Sequence, residues 1–211
     1  MKRAGQFMVP DNDTYFAPFL EQGGFQLDHL QAALGFVKNF GTAVDGGAHV
    51  GSWALEMAGA FDRVIAFEPA DDTFECLSAN VNGSGFINVS LRNAALGAKT
   101  ERGRIVDDTS RGGNTGSRFM QIAENGPILI EPLDALGLES LGFLKLDVEG
   151  FEYYALLGAE KTILQHRPVV LVEEKGFGRR YDLQPFAASE LLRSWGADCV
   201  TKIGRDHVFV F

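Results

Sequence analysis

Four short apolar runs in this chain stop at an acid. They are "TAVD" ending at Asp45, "VIAFE" ending at Glu68, "FLKLD" ending at Asp147 and "VVLVEE" ending at Glu173 and Glu174. Apolar runs of this length bounded by turn signals read as buried strands, and helical spacing between them reads as amphipathic helix. Trp53, Ala54, Met57 and Ala58 recur at helical intervals after the first run. Asp71 and Asp72 open the helix after the second, where acids suit the positive end of the helix dipole. "NVSLRNAAL" reads as a further strand, "FEYYALLGAEKTILQH" as one helix and "PFAASELLRSWG" as another. "DCVTKIGRDHVFVF" reads as a hairpin turning at Gly204-Arg205-Asp206. Strands separated by helices require right-handed crossovers and so a mostly parallel sheet, to which the hairpin adds an antiparallel strand.

With 211 residues and no composition break, the expectation is a single α/β domain over 1–211. Two segments fall outside the rhythm. Residues 1–40 read as a helical cover, "FAPFLEQGG" and "FQLDHLQAALGFVKNFG", over the sheet edge or the site. Residues 97–127 are rich in Gly, Arg, Thr, Ser and Asn around two strand-like pieces, and read as a hairpin or flap. A formal charge of −9 disfavours nucleic acid, whose phosphates must be neutralised. Arg104, Arg111 and Arg118 read as residues of a solvated loop. No stretch approaches the roughly 18–20 apolar residues of a membrane span. The two basic residues near the start are not followed by the apolar core of a signal peptide, so a cytoplasmic protein is expected. Cys76 and Cys199 are too few and too far apart for a disulfide scaffold or a zinc ribbon.

In a doubly wound sheet, ligands bind outside the carboxyl ends of the strands, which makes "VDGGAHVG" a site by position. The dinucleotide fingerprint G-x-G-x-x-G fails in both registers, with Ala48 or His49 where the second glycine is needed. No nucleoside-triphosphate loop is present either. The spacing that does fit is D-x-G-x-x-x-G: Asp45, Gly47 and Gly51. An acid at the strand end repels a pyrophosphate but suits a cationic amino group. S-adenosylmethionine carries such an amino group, a carboxylate and a sulfonium, and no phosphate. Glu68 ends the next strand at about the twenty-residue offset where an acid binds an adenosine ribose. Helix capping is the plainer reading of the same two acids.

These residues carry a resemblance. The chain resembles the FkbM-type methyltransferases, a class I S-adenosylmethionine-dependent family. The likeness runs over roughly residues 40–176, through "VDGGAHVG", "FEP" with Asn80 after it, "NAALG", "LKLDVEGFEYYALLGAEKTI" and "LVEE". His49 departs from the asparagine the family often has there. The resemblance implies a Rossmann-like, doubly wound, mostly parallel seven-stranded sheet with an antiparallel C-terminal hairpin. It also implies S-adenosyl-L-methionine as cofactor and O-methylation of a small acceptor such as a sugar or natural product. The cofactor residues it points to are Asp45, Gly46, Gly47, His49, Gly51, Glu68, Pro69 and Asp147. By analogy of fold, Asn93 and Ala94 meet the adenine.

Asp147 and Glu149 stand at the strand end nearest the transferring methyl and are the catalytic candidates. Either could take the hydroxyl proton or position the acceptor. With Glu152 they could instead hold Mg²⁺ or Ca²⁺, or merely cap the next helix. Three oxygen donors fall short of the six or more that calcium wants, so no metal ligand is assigned. Glu173 and Glu174 face either the acceptor or solvent. A homodimer is left open, and neither a nucleic-acid nor a membrane partner is expected. Two rival functions remain at this level: an NAD-dependent oxidoreductase and a cofactor-binding module without chemistry.

Overall fold

The strand-ending acids come together because the runs they close lie side by side. The computed structural model describes residues 1–211. The chain opens with a hairpin, β1 (Lys2–Ala4) and β2 (Phe7–Val9), then helices α1 (Ala17–Glu21) and α2 (Leu27–Leu34). The first wound unit is β3 (Thr42–Gly46), α3 (Ser52–Ala58), β4 (Arg63–Phe67), α4 (Asp71–Ser84) and β5 (Val89–Arg92). A group of strands follows: β6 (Ala95–Leu96), β7 (Glu101–Val106), β8 (Phe119–Ile122) and β9 (Ile128–Glu131). The second wound unit is β10 (Phe143–Leu146), α5 (Glu152–Leu157), α6 (Glu160–His166), β11 (Val169–Glu173) and α7 (Ala187–Ser194). The hairpin β12 (Asp198–Ile203) and β13 (Asp206–Val210) ends the fold.

The main sheet has seven strands in the order β12-β13-β11-β10-β3-β4-β5. The five from β11 to β5 are parallel, and the closing hairpin is antiparallel. This is the doubly wound, mostly parallel seven-stranded sheet with an antiparallel C-terminal hairpin that was expected. Neighbouring residues of each central strand face opposite layers, as the two-residue strand period requires. Ala43, Ala66 and Leu171 pack against α2, α3 and α4, while Val44, Phe67 and Val172 pack against α5, α6 and α7. Both faces are buried, so these strands read as apolar runs without alternation.

Three elements differ from the sequence reading. "NVSLRNAAL" is two strands: β5 pairs with β4, and after Asn93-Ala94 the chain turns into a second sheet of order β6-β9-β7-β8. The helix expected over "FEYYALLGAEKTILQH" breaks at Gly158, where a Cβ would stand 1.9 Å from the Gly97 carbonyl oxygen. The α6 start is capped from a distance, with Asp134 accepting from the Lys161 and Thr162 amides at 3.1 and 2.9 Å. Residues 1–40 hold the two expected helices and also β1–β2, which Asn80 of α4 secures. Asn80 accepts from the Met8 amide at 2.6 Å and donates to the carbonyls of Met8 and Val50.

The N-terminal segment and the β7–β8 connection meet over the carboxyl ends of the main strands. The Thr14 and Tyr15 amides donate to the Gly113 carbonyl at 2.8 and 3.2 Å. Gly116 lies against the Phe16 ring, which a Cβ would meet at 2.5 Å. The junction turns on Asp13, whose side chain is fully buried. Its Oδ1 accepts from the Phe16 and Ala17 amides at 2.8 and 3.2 Å, capping α1. Its Oδ2 accepts from the amide and hydroxyl of Thr115.

Removing this carboxylate leaves buried donors unpaired, which costs roughly 1–3 kcal/mol for each group. Asp13→Ala is therefore expected to lower stability by about 2–4 kcal/mol, or roughly 5–15 °C in Tm. It is also expected to speed tryptic cleavage after Arg111 and Arg118. Differential scanning calorimetry and timed digestion read both effects. An Asp13→Ala protein with wild-type Tm and digestion pattern would show that the two segments are held by other contacts.

Candidate active site

The carboxyl ends of β3, β4 and β10 open into one cavity of about 1120 Å³ of atom-free space, its mouth included. Phe16 and Phe25 cover it from the N-terminal segment, and Ile105, Thr115 and Met120 from the second sheet and its loop. Of the residues singled out in the sequence, Gly47, His49, Glu68, Pro69, Ala94, Asp147 and Glu149 line this cavity. Asp45, Gly46, Gly51 and Asn93 do not.

Asp45 is fully buried behind the loop. Its register partner on β10 is Lys145, so the two side chains leave the sheet on the same face. The Lys145 Nζ donates to Asp45 Oδ1 at 2.8 Å and to the Gly47 carbonyl at 2.7 Å, and lies 5.6 Å from the Trp53 ring centroid. The cation next to Asp45 is thus the chain's own. Burial opposes the Lys145 charge, but Asp45 and Asp147 outweigh it and hold the ammonium above its ordinary value. Lys145 was not singled out in the sequence. Its signal was there: a lysine inside the apolar strand "FLKLD" needs a buried partner.

Gly47 has φ +78°, and a Cβ there would overlap the Asp147 carbonyl oxygen at 2.0 Å. His49 has φ +52°, a left-handed conformation unusual for a side-chain-bearing residue. That turn sends the His49 amide to Glu68 Oε2 at 2.9 Å, while the Ala70 amide reaches Oε1 at 2.9 Å. Each carboxylate oxygen keeps an unused lone pair on the cavity side of the strand end. Burial raises Glu68 to about 7. The His49 Nε2 stands 2.8 Å from the Thr115 hydroxyl. Thr115 gives its own proton to Asp13, so it accepts from His49, which fixes the Nε2–H tautomer. Burial lowers His49 to about 4, so the ring is neutral at physiological pH.

The turn after β10 carries the second group of acids. Glu149 has φ +56° and Gly150 φ +107°. A side chain at Gly150 would strike Phe177. Glu152 stabilises this turn from below, accepting from the Val148 and Gly150 amides at 3.1 and 3.0 Å, and does not line the cavity. Lys175, just past β11, donates to Glu149 Oε1 at 2.7 Å and to Asp147 Oδ1 at 3.4 Å, and also pairs with Glu173. Burial works to raise Asp147, but Lys175 and a protonated Glu173 hold it well below the usual carboxylate range. Burial and the neighbouring Asp147 charge raise Glu149. The same two causes push Glu173 to about 10. Glu174 points elsewhere, to Ser189 and His207 in a buried network.

The wall has two features suited to an amino-acid-bearing nucleoside. Ser52, at the start of α3, lines the cavity with a buried hydroxyl that has no partner. Both long cations on the wall are already engaged, Lys145 as above and Arg118 with Asp72 and Asp107 at 2.5 and 2.9 Å. A pyrophosphate finds no free positive charge here. Asn93, expected near an adenine, is an exposed residue whose amide donates to Asp71 at 3.2 Å, while Ala94 is on the wall.

The comparisons with known proteins agree with this geometry. A family model described as the methyltransferase FkbM domain matches residues 45–199. The methyltransferase FkbM structure from Methylobacillus flagellatus KT is 20% identical, with a TM-score of 0.54 over 99% of this chain and 49% of that chain. The present chain thus spans about half the length of that relative. Precorrin 8w decarboxylase from Methanobacterium thermoautotrophicum is 14% identical, with a TM-score of 0.54 over 100% of this chain and 98% of that one. Precorrin-6y C5,15-methyltransferase from Geobacter metallireducens GS-15 is 12% identical, with a TM-score of 0.50 over 97% and 96%. At these identities the structural likenesses show the fold. None of the curated proteins compared with the sequence matches it. The chain belongs to the FkbM methyltransferase domain family. That family is S-adenosylmethionine-dependent, and the nicotinamide alternative is set aside.

Binding of S-adenosylhomocysteine is expected to follow the ionisation of Glu68. With its carboxyl at about 7, about one molecule in ten is ionised at pH 6 and nine in ten at pH 8. Hydroxyl donors favour the ionised form, so affinity rises with pH, by up to about tenfold over that interval. Glu68→Gln should be folded, bind more weakly and lose the pH dependence. Calorimetry at several pH values tests this. A mutant with wild-type affinity and an unchanged pH curve would remove Glu68 from the cofactor.

Proposed function

We propose that this protein transfers the methyl group of S-adenosylmethionine to a hydroxyl of a small acceptor, a sugar or natural product. One observation carries the reading: a single cavity is lined at one strand end by Glu68 and at another by Asp147 and Glu149. In this reading Glu68 receives the two ribose hydroxyls in its unused lone pairs. The loop from Gly47 and the Ser52 hydroxyl hold the amino-acid half, and Ala94 borders the adenine. Asp45 acts through Lys145, fixing the loop instead of touching the ligand.

The bound cofactor supplies an electrophilic methyl carbon on a sulfonium. Held there, it would pass that carbon to the acceptor oxygen, with the carbon–sulfur electron pair staying on sulfur. The acceptor's proton needs a receiver. Glu149 is the better base, because burial and Asp147 raise its carboxyl while Lys175 and Glu173 depress that of Asp147. Glu149 Oε2 is buried and free of hydrogen bonds. Asp147, held ionised, orients the acceptor hydroxyl or faces the sulfonium charge. The covering segments exclude water and keep the reactants aligned, which accounts for much of the rate in such transfers.

Methyl-labelled cofactor incubated with a panel of sugars and hydroxylated natural products tests the reading. Label should appear in an ether. Glu149→Gln and Asp147→Asn should each lower turnover by roughly 10²–10⁴ while keeping S-adenosylhomocysteine affinity within a few fold. Tight cofactor binding with no transfer to any acceptor would favour the binding module. Full turnover in Glu149→Gln would assign the proton to another group.

A further inference from the structure

Lys175 lies outside the cavity wall, yet it touches Asp147 and Glu149 of the turn after β10 and Glu173 at the end of β11. Oxygens of Asp147, Glu149 and Glu173, from the ends of two neighbouring parallel strands, lie within 4.8 Å of one another. Glu149 and Glu173 are 5% and 8% exposed. Carboxylates gathered this closely away from water repel strongly and ordinarily collect a cation or a proton. Here the Lys175 ammonium, on a side chain 13% exposed, is in contact with all three. By holding Glu149 Oε1 at 2.7 Å it fixes the rotamer that leaves Oε2 unpartnered. No other cation can take its place. Arg180 stands 3.9 Å from Glu149 Oε2, but its guanidinium is tied to the Glu149 carbonyl and Asp108 and stacked on Phe119 and Phe177. Arg111 from the loop and Lys145 from β10 act only at longer range, on Glu149 and Asp147 respectively.

We propose that Lys175 is a positioning residue, a tethered ammonium that does for Asp147 and Glu149, beside a protonated Glu173, what a divalent cation does in a metal-bearing site, so that the transfer runs without one. The inference rests on the methyl-transfer reading for its rate measurements and on geometry alone for its binding measurements. Lys175 touches neither reactant. It keeps Asp147 and Glu149 charged side by side and aims the free oxygen of Glu149.

The test uses the full chain, Lys175→Ala and Lys175→Arg, with Mn²⁺ as the probe. Titration calorimetry should find no Mn²⁺ site in the wild type below millimolar concentration and a site at least tenfold tighter in Lys175→Ala. S-adenosylhomocysteine affinity should stay within a few fold, which also reports that the variant is folded. Where transfer is measured, the acidic limb of the turnover–pH profile should move up by at least one pH unit in Lys175→Ala. Mn²⁺ should move it back, and Lys175→Arg should keep it in place. Wild-type turnover should be indifferent to chelator. Chelator-sensitive turnover restored by Mn²⁺ in the wild type overturns the proposal. So does a Lys175→Ala protein that gains no Mn²⁺ affinity, or one with an unshifted limb. Should Lys175→Ala not fold, an Arg variant with a shifted limb overturns it equally. If no acceptor is methylated at all, the methyl-transfer reading fails while the Mn²⁺ titrations still decide the role of Lys175.

Discussion

The site depends on one ion pair at the centre of the sheet. Asp45 and Lys145 are register partners on adjacent parallel strands, both nearly without exposure. A buried pair adds little net stability over well-packed apolar residues, but removing one partner leaves a stranded charge. Its value here is positional. Lys145 spends a second hydrogen bond on the Gly47 carbonyl, and so the glycine loop is fixed to β10 as well as to β3. Asp147 follows two residues after Lys145, so the loop and the acid-bearing turn after β10 share one anchor. The overlap of Gly47 with the Asp147 carbonyl, where a Cβ cannot fit, is the other half of that junction.

Backbone strain is placed with similar economy. Five residues with side chains adopt positive φ, and three of them, Gln26, His49 and Glu149, line the cavity. Each left-handed turn costs of the order of 1 kcal/mol and persists only where its surroundings hold it. His49 is held by its amide bond to Glu68 and its ring bond to Thr115. Glu149 is held by Lys175 and by the Arg180 bond to its carbonyl. The His49 and Glu149 turns both lie on the wall of this cavity, one after β3 and the other after its neighbour β10.

Much of this was legible in the sequence, and the limits have physical causes. Apolar runs ending in acids give the parallel sheet, because strands buried on both faces cannot contain much else. The C-terminal hairpin is announced by Gly204-Arg205-Asp206. Local pattern could not divide "NVSLRNAAL" between two sheets, since Val89, Leu91 and Ala94–Leu96 run on as one strand-like series and only the partners differ. Nor could it break the helix at Gly158, which packs against the carbonyl of Gly97, a residue remote in the chain. Within the site, residue type gave the acids but not their partners. Asp45 looked like a ligand-facing carboxylate until Lys145 was placed beside it. Lys175, directly after "VEE", gave no sign of reaching three carboxylates, because that depends on the register of β10 against β11.

Asp13 has a kinetic consequence. One carboxylate joins two coverings a hundred residues apart in sequence, the start of α1 through one oxygen and the β7–β8 connection through the other. A buried carboxylate stripped of its donors on one side is left short of hydrogen bonds, so parting either covering alone carries a desolvation cost. The two coverings are therefore coupled through this one buried group. A molecule beneath them meets one joined obstacle to escape, where two independent flaps would have given two separate exits.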